Sequence, residues 1–158
     1  MARTVPVVPK KEMNAYTEMK KRHQEETNAL PIHWAFTEER FKEILRELGL
    51  TENDTGKLFR TPGGGFCLAS DVQIIADTFR GHRREMEEAI AADATGDGFI
   101  KDMFLSELRN HEYTYTCDVE EAVEACGFTM EQVENDERLL HGLETAAKKL
   151  REAAGFSF

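Results

Sequence analysis

Cysteine is scarce, and its three positions, Cys67, Cys117 and Cys126, form no CxxC pair. An odd set of widely spaced thiols builds neither a disulfide framework nor a zinc site, and reduced thiols fit a cytoplasmic protein. No apolar run approaches the roughly 18 residues a membrane-spanning helix requires. The start, MARTVPVVPKK, carries only a short apolar patch broken by Pro6 and Pro9, so no secretory signal is expected. Catalytic signatures are missing as well: there is no HExxH, no GxSxG and no cysteine in a local nucleophile motif. Gly63, Gly64 and Gly65 are followed by no GK[ST] and lack GxGxxG spacing before a helix, which leaves them as a flexible hairpin tip. Basic residues are in the minority, 20 against 30 acidic, and Lys and Arg are absent between Arg109 and Arg138. Such a chain is repelled by nucleic-acid phosphates, whose binding depends on cations that displace counterions.

What is present suits one globular domain over residues 13–158, preceded by a flexible extension at residues 1–12. The net charge of −10 is concentrated late: residues 93–158 hold six basic and fifteen acidic side chains. A cationic or nucleic-acid-binding partner protein is the more natural match for that half.

The periodicity predicts a mainly helical α+β fold with five or six helices and one β-hairpin. A polar helix runs from about Lys11 to Asn28 with a thin stripe of Met13, Tyr16, Met19 and His23. The run Leu30–Phe36 reads as an extended segment over the core. Thr37 caps the next helix, with Phe36 and Phe41 placed to staple its entry and Gly49 to end it. Two short runs, 57–61 and 66–69, make the hairpin. Ser70 and Gln73 propose a capping box for a long helix to about Ala94, whose stripe includes Val72, Ile75, Phe79, His82 and Met86. His82 on that stripe reads as a hydrogen-bonded, half-buried histidine. After a Gly-Asp-Gly turn, a helix is expected over Phe99–Asn110. Asp118 with Glu121 and Thr129 with Gln132 propose two short capped helices, and Asn135 or Asp136 starts the last one.

The Gly-Asp-Gly turn comes close to a calcium loop. Counted from Asp93, it supplies Asp93, Thr95 and Asp97 as oxygen ligands at positions 1, 3 and 5, with Gly98 at 6. It fails at position 12, where the bidentate glutamate is replaced by Phe104, and Lys101 adds repulsion at position 9. The structural alternative is a reversal between two packed helices, and it is preferred over calcium; no other cofactor is implied. A small enzyme would have to draw on Asp93, Asp97 and the His111-Glu112 pair, and needs folding to bring a third group to them. The remaining feature is the acidic window of Glu112, Asp118, Glu120, Glu121, Glu124, Glu131, Glu134, Asp136 and Glu137. Set on short capped helices, these carboxylates offer ordered negative charge to a partner with a basic surface. A nucleic-acid-associated role through the basic residues of the first helix is the remaining alternative.

QEETNALPIHWAF (Gln24–Phe36), AADATGDGFIKDMFLSELRNHEY (Ala91–Tyr113) and RLLHGLE (Arg138–Glu144) carry a resemblance. The chain resembles an uncharacterised family of small acidic proteins found in phages and integrative elements of gut bacteria, mostly Firmicutes. The resemblance covers nearly everything from about Met13 onward and implies no activity, cofactor or catalytic residue. It implies a mobile-element setting inside a bacterial host. There, small acidic proteins bind host or element-encoded proteins and inhibit host defence, including CRISPR inhibitors that mimic nucleic acid.

Overall fold

The computed structural model describes residues 13–156, so the expected extension at residues 1–12 lies outside them. The described chain is mainly helical, with one two-stranded antiparallel hairpin, as its periodicity predicts. Five helices have ten residues or more: α1 (Ala15–Asn28), α2 (Glu38–Glu47), α3 (Val72–Ala92), α4 (Phe99–Asn110) and α8 (Glu137–Ala153). Three are short: α5 (Tyr113–Thr116), α6 (Glu120–Ala125) and α7 (Met130–Glu134). The strands are β1 (Leu58–Arg60) and β2 (Phe66–Leu68). Within 13–158, expected as one domain, contacts separate two compact units: residues 13–21 with 87–156, and residues 22–86.

In the first unit α4 is the central element. Ile100, Met103, Phe104, Leu105 and Leu108 are all buried, and so are Ser106 and Glu107. A helix buried on nearly every side must be covered from several directions. Here α8 lays Leu139, Leu143, Ala146, Ala147 and Leu150 toward the core, α6 adds Ala122 and Val123, and α7 adds Val133. Each fully buried large side chain of this set contributes about 1.5–3 kcal/mol. Tyr16 of α1 packs edge-on against Phe99, with ring centroids 5.9 Å apart.

In the second unit the hairpin pairs Leu58 with Leu68, Phe59 with Cys67 and Arg60 with Phe66. The extended segment before α2 joins it through a single bridge, His33 to Phe66. Ile32, Cys67 and Ile75 form a small core, with Leu30 and Phe79 against it. His23 and His82 stack in parallel at 4.0 Å. Each meets a carboxylate, His82 with Glu26 at 2.7 Å and His23 with Glu85 at 3.2 Å, and Arg22 also pairs with Glu85. His82 is thus the hydrogen-bonded histidine its position on the stripe suggests.

Helix entries are where local reading and structure diverge. Thr37 does cap α2, accepting the Arg40 N–H at 3.1 Å, but Phe36 is 93% exposed and cannot staple Phe41, which instead packs edge-on against Phe66. Ser70 lies in a 3-10 turn, Ala69–Asp71, and α3 begins only at Val72, so the proposed capping box does not form. Asp118 accepts the Glu120 N–H at 2.9 Å in a local turn, while Glu121 faces His111 rather than closing a box. Thr129 and Gln132 do make both halves of theirs.

Candidate functional site

Three groups of residues stand out from the sequence, and all lie in the first unit. The loop from Asp93 to Gly98 is organised by one carboxylate. Asp93 Oδ1 accepts the N–H groups of Thr95 (3.2 Å) and Gly96 (2.9 Å), and Oδ2 accepts those of Gly98 (3.0 Å) and Ile100 (3.0 Å). A carboxylate has about four lone-pair sites, and all four are occupied by the backbone. Burial alone would raise the Asp93 pKa, but the donors from Ile100, Gly96, Thr95 and Gly98 together hold the carboxyl below its ordinary range. The other two candidate ligands are also engaged within the protein. Thr95 Oγ1 accepts the Asp97 N–H at 3.2 Å, and Asp97 Oδ1 meets His141 Nε2 at 2.6 Å. Among the described residues, no three His, Cys, Asp or Glu side chains gather where they could hold a metal ion.

The loop is also clamped from α8. Arg138 donates to the backbone carbonyls of Ile90 (3.1 Å) and Asp93 (2.8 Å). Gly96 adopts φ +90°, and a Cβ there would stand 2.2 Å from the Arg138 carbonyl oxygen. Gly142 lets α8 approach in turn, since its Cβ would fall 2.5 Å from Ile100 Cγ2 and 2.9 Å from the Gly96 oxygen. The turn works as a packed joint between helices.

The His111-Glu112 pair sits elsewhere. Asp97 precedes α4 and His111 follows it, so a helix of 12 residues, about 18 Å long, separates the two. The constellation of Asp93, Asp97, His111 and Glu112 is therefore not brought together. His111 instead lies between two other carboxylates, with Nε2 3.6 Å from Glu107 and Nδ1 3.4 Å from Glu121. Glu112 takes a left-handed conformation, φ +56°, and points to solvent.

Beneath His111 lies a pair invisible in the sequence. Tyr16 and Glu107, 91 positions apart, are both buried and joined by a 2.6 Å bond from the phenol to Oε1. Burial and the neighbouring Glu107 push the Tyr16 pKa far up, so the phenol stays a donor. The pair lines a cleft of about 240 Å³ with Thr17, Lys20, Arg109 and Asn110 around it. Nearby, Cys126 is pushed up to about 12 by burial and by Glu107, against the pull of Lys20, which keeps it a neutral thiol. The one sequence signal for this group was an acidic residue, Glu107, inside the apolar stretch Met103–Leu108.

The acidic window forms the third group. Glu112, Asp118, Glu120, Glu121, Glu124, Glu131, Glu134 and Glu137 are exposed, while Asp136 is half-buried. Asp136 caps α8 through the N–H groups of Arg138 and Leu139 and pairs with the Arg138 side chain at 3.3 Å, which withdraws it from the surface set. Glu121 is turned to His111. Glu120, Glu124, Glu131, Glu134 and Glu137 have no cationic partner among the described residues. Helices α6 and α7, which carry the first four, are anchored by Ala122, Val123 and Val133, each with no exposed surface.

Residues 15–149 match a family described as one of unknown function, DUF7659. The chain belongs to that family. The DUF7659 match takes in the clamped loop, the Tyr16–Glu107 pair and the whole acidic window. No curated protein and no solved structure matches the chain.

Proposed function

We propose that this DUF7659 protein is a non-enzymatic, protein-binding accessory that docks its α6–α7 surface on a basic partner. The observation that carries this reading is the set of exposed, unpaired carboxylates on helices whose other sides are locked into the core. Fixed charge of this kind costs a partner little ordering entropy on binding. It also favours a partner whose own surface is cationic. The six residues of α6 span about 9 Å and carry three carboxylates, Glu120, Glu121 and Glu124, a dense concentration of negative charge on one short helix. A nucleic-acid-binding protein, whose own surface is cationic, is the partner class this charge suits. The resemblance to proteins of phages and mobile elements gives the reading its setting: an accessory that inhibits host defence by standing in for nucleic acid.

The test is competition. The wild-type protein should displace a labelled oligonucleotide from a host nuclease that it captures, at physiological salt. The variant Glu120→Lys, Glu121→Lys, Glu124→Lys should lose that displacement by at least about tenfold. Equal displacement by the reversed variant would sink the mimicry idea.

A further inference from the structure

The second unit carries a surface of opposite character. Along α3, Val72, Ile75, Phe79, Arg80 and Arg83 recur at helical spacing and line one side of a cleft of about 360 Å³. Phe59 of β1 lines the cleft as well. Phe59 is 48% exposed and Val72 is 39% exposed, so the cleft leaves large apolar surface in water. Its volume falls within the range of about 300–1,000 Å³ seen for ligand-holding pockets.

Its charged lining residues are all arginines: Arg60, Arg80 and Arg83. Arg80 touches Asp77 at 3.4 Å, and Arg60 and Arg83 have no carboxylate within 4.0 Å among the described residues. Three cations gathered on one apolar cleft are conspicuous in a chain of net charge −10. They select for an anionic occupant by charge complementarity.

The backbone of β1 supplies a third feature. β2 is flanked on one side by β1 and on the other by the His33 bridge, while among the described residues β1 has no strand on its outer side. Phe66 exchanges both of its backbone hydrogen bonds with His33, at 2.8 and 2.9 Å. In an antiparallel ladder, the residue opposite Phe66 then belongs to a non-hydrogen-bonded pair and turns its own N–H and C=O outward. That residue is Arg60. The adjoining bond from the Thr61 N–H to the Gly65 oxygen, 2.9 Å, fits the same alternation. The free edge thus presents the Arg60 N–H and C=O beside the cleft, the arrangement that strand addition uses. Thr61 lines the same cleft, is 8% exposed, and its hydroxyl has no partner among the described residues.

We infer that the outer edge of β1 and the arginine-lined cleft together dock an extended, acidic segment of a partner protein. The segment pairs with Arg60 through its backbone and places one large apolar side chain against Phe59, Val72 and Phe79. Its flanking carboxylates meet Arg60, Arg80 and Arg83. This surface is independent of the acidic α6–α7 face and of the function proposed for it.

A fluorescein-labelled peptide of glutamates and serines around one central phenylalanine tests the inference by fluorescence anisotropy. Saturable binding to the full chain is expected. It should weaken at least about tenfold when the peptide's amides beside the phenylalanine are N-methylated, a change that leaves the protein untouched. A similar loss is expected for Arg80→Glu with Arg83→Glu, provided the variant keeps the wild-type melting profile. Replacing the peptide's glutamates by lysines should abolish binding. Equal binding of the lysine or N-methylated peptide, or no binding at all, overturns the inference. Displacement of the peptide by octanoate at equal concentration also overturns it, because a simple amphipathic anion would then suffice. Concentration-dependent self-association lost in the arginine variant would assign the cleft to a second copy and overturn it likewise.

Discussion

Tyr16 and Glu107 show what a single buried contact contributes. A buried carboxylate needs a donor, and the phenol is the donor it has at 2.6 Å. Tyr16→Phe keeps the ring packed on Phe99 and removes only the hydroxyl. It should lower stability by about 1–3 kcal/mol, the cost of an unsatisfied buried polar group, read as a shift in the urea midpoint without a change in slope. An unchanged midpoint would mean that Glu107 finds another donor. The cysteines separate at the same scale. Cys67 is buried and its thiol is raised by desolvation and then by Asp71, Cys126 is raised to about 12, and Cys117 is exposed. At pH 8 the thiolate fraction of Cys126 is on the order of one in ten thousand. Titration with a thiol-specific disulfide reagent should therefore show one fast equivalent, abolished by Cys117→Ser, and two that wait for unfolding.

At the scale of elements, the joint between α3 and α4 decides how the first unit's core is assembled. Gly96→Ala puts a Cβ against the Arg138 carbonyl at a left-handed φ, so neither the loop nor α8 can yield cheaply. A loss of more than about 2 kcal/mol is expected, seen as a lowered melting temperature. Gly127→Ala makes a control, because it too has a positive φ, +85°, but meets no atom within 4 Å. A similar loss at both positions would show that strain, not the clash, sets the effect.

Acid should loosen the same joint. The pKa of Asp93 is depressed on folding, and so is that of Asp136, where burial is outweighed by Arg138 and the Leu139 N–H. A depressed carboxyl stabilises the fold above its unfolded pKa, about 3.9 for aspartate, and loses that contribution as pH falls through the lower folded value. Stability should be level above about pH 5 and should fall below about pH 4. In Asp93→Asn that part of the acid transition should shrink, and the variant should be weaker by about 1.5–3 kcal/mol at neutral pH through loss of charged acceptors. An unaltered acid limb in Asp93→Asn would remove Asp93 from the linkage.

Across the whole molecule, charge is the dominant variable. A net charge of −10, with fifteen acidic against six basic residues over 93–158, leaves carboxylates in excess of the cations that could offset them. Salt should therefore stabilise this protein. Raising sodium chloride from about 20 to 200 mM shortens the Debye length from about 20 to 7 Å, and the melting temperature should rise by a few degrees. A fall would mean that favourable ion pairs outweigh the repulsion. No helix of the described residues is long and apolar enough to cross a membrane.

Much of this architecture is local in origin and could be read from the chain. The bounds of α4, the start of α8 to within a residue, the hairpin and the Thr129–Gln132 box follow from apolar spacing, turn residues and capping oxygens a few positions apart. The departure from a calcium loop at Phe104 was legible for the same reason, since ligand spacing is local, and Phe104 is a wholly buried core residue. The tertiary structure decided what depends on distant partners. It set Tyr16 against Glu107, stacked His23 on His82, closed all four lone-pair sites of Asp93, and divided Asp97 from His111 by the length of a helix. It also opened β1 and α3 into an arginine-lined cleft. Capping and periodicity act over one or two turns, whereas these pairings depend on which buried surfaces close-pack, and no window of sequence contains that information.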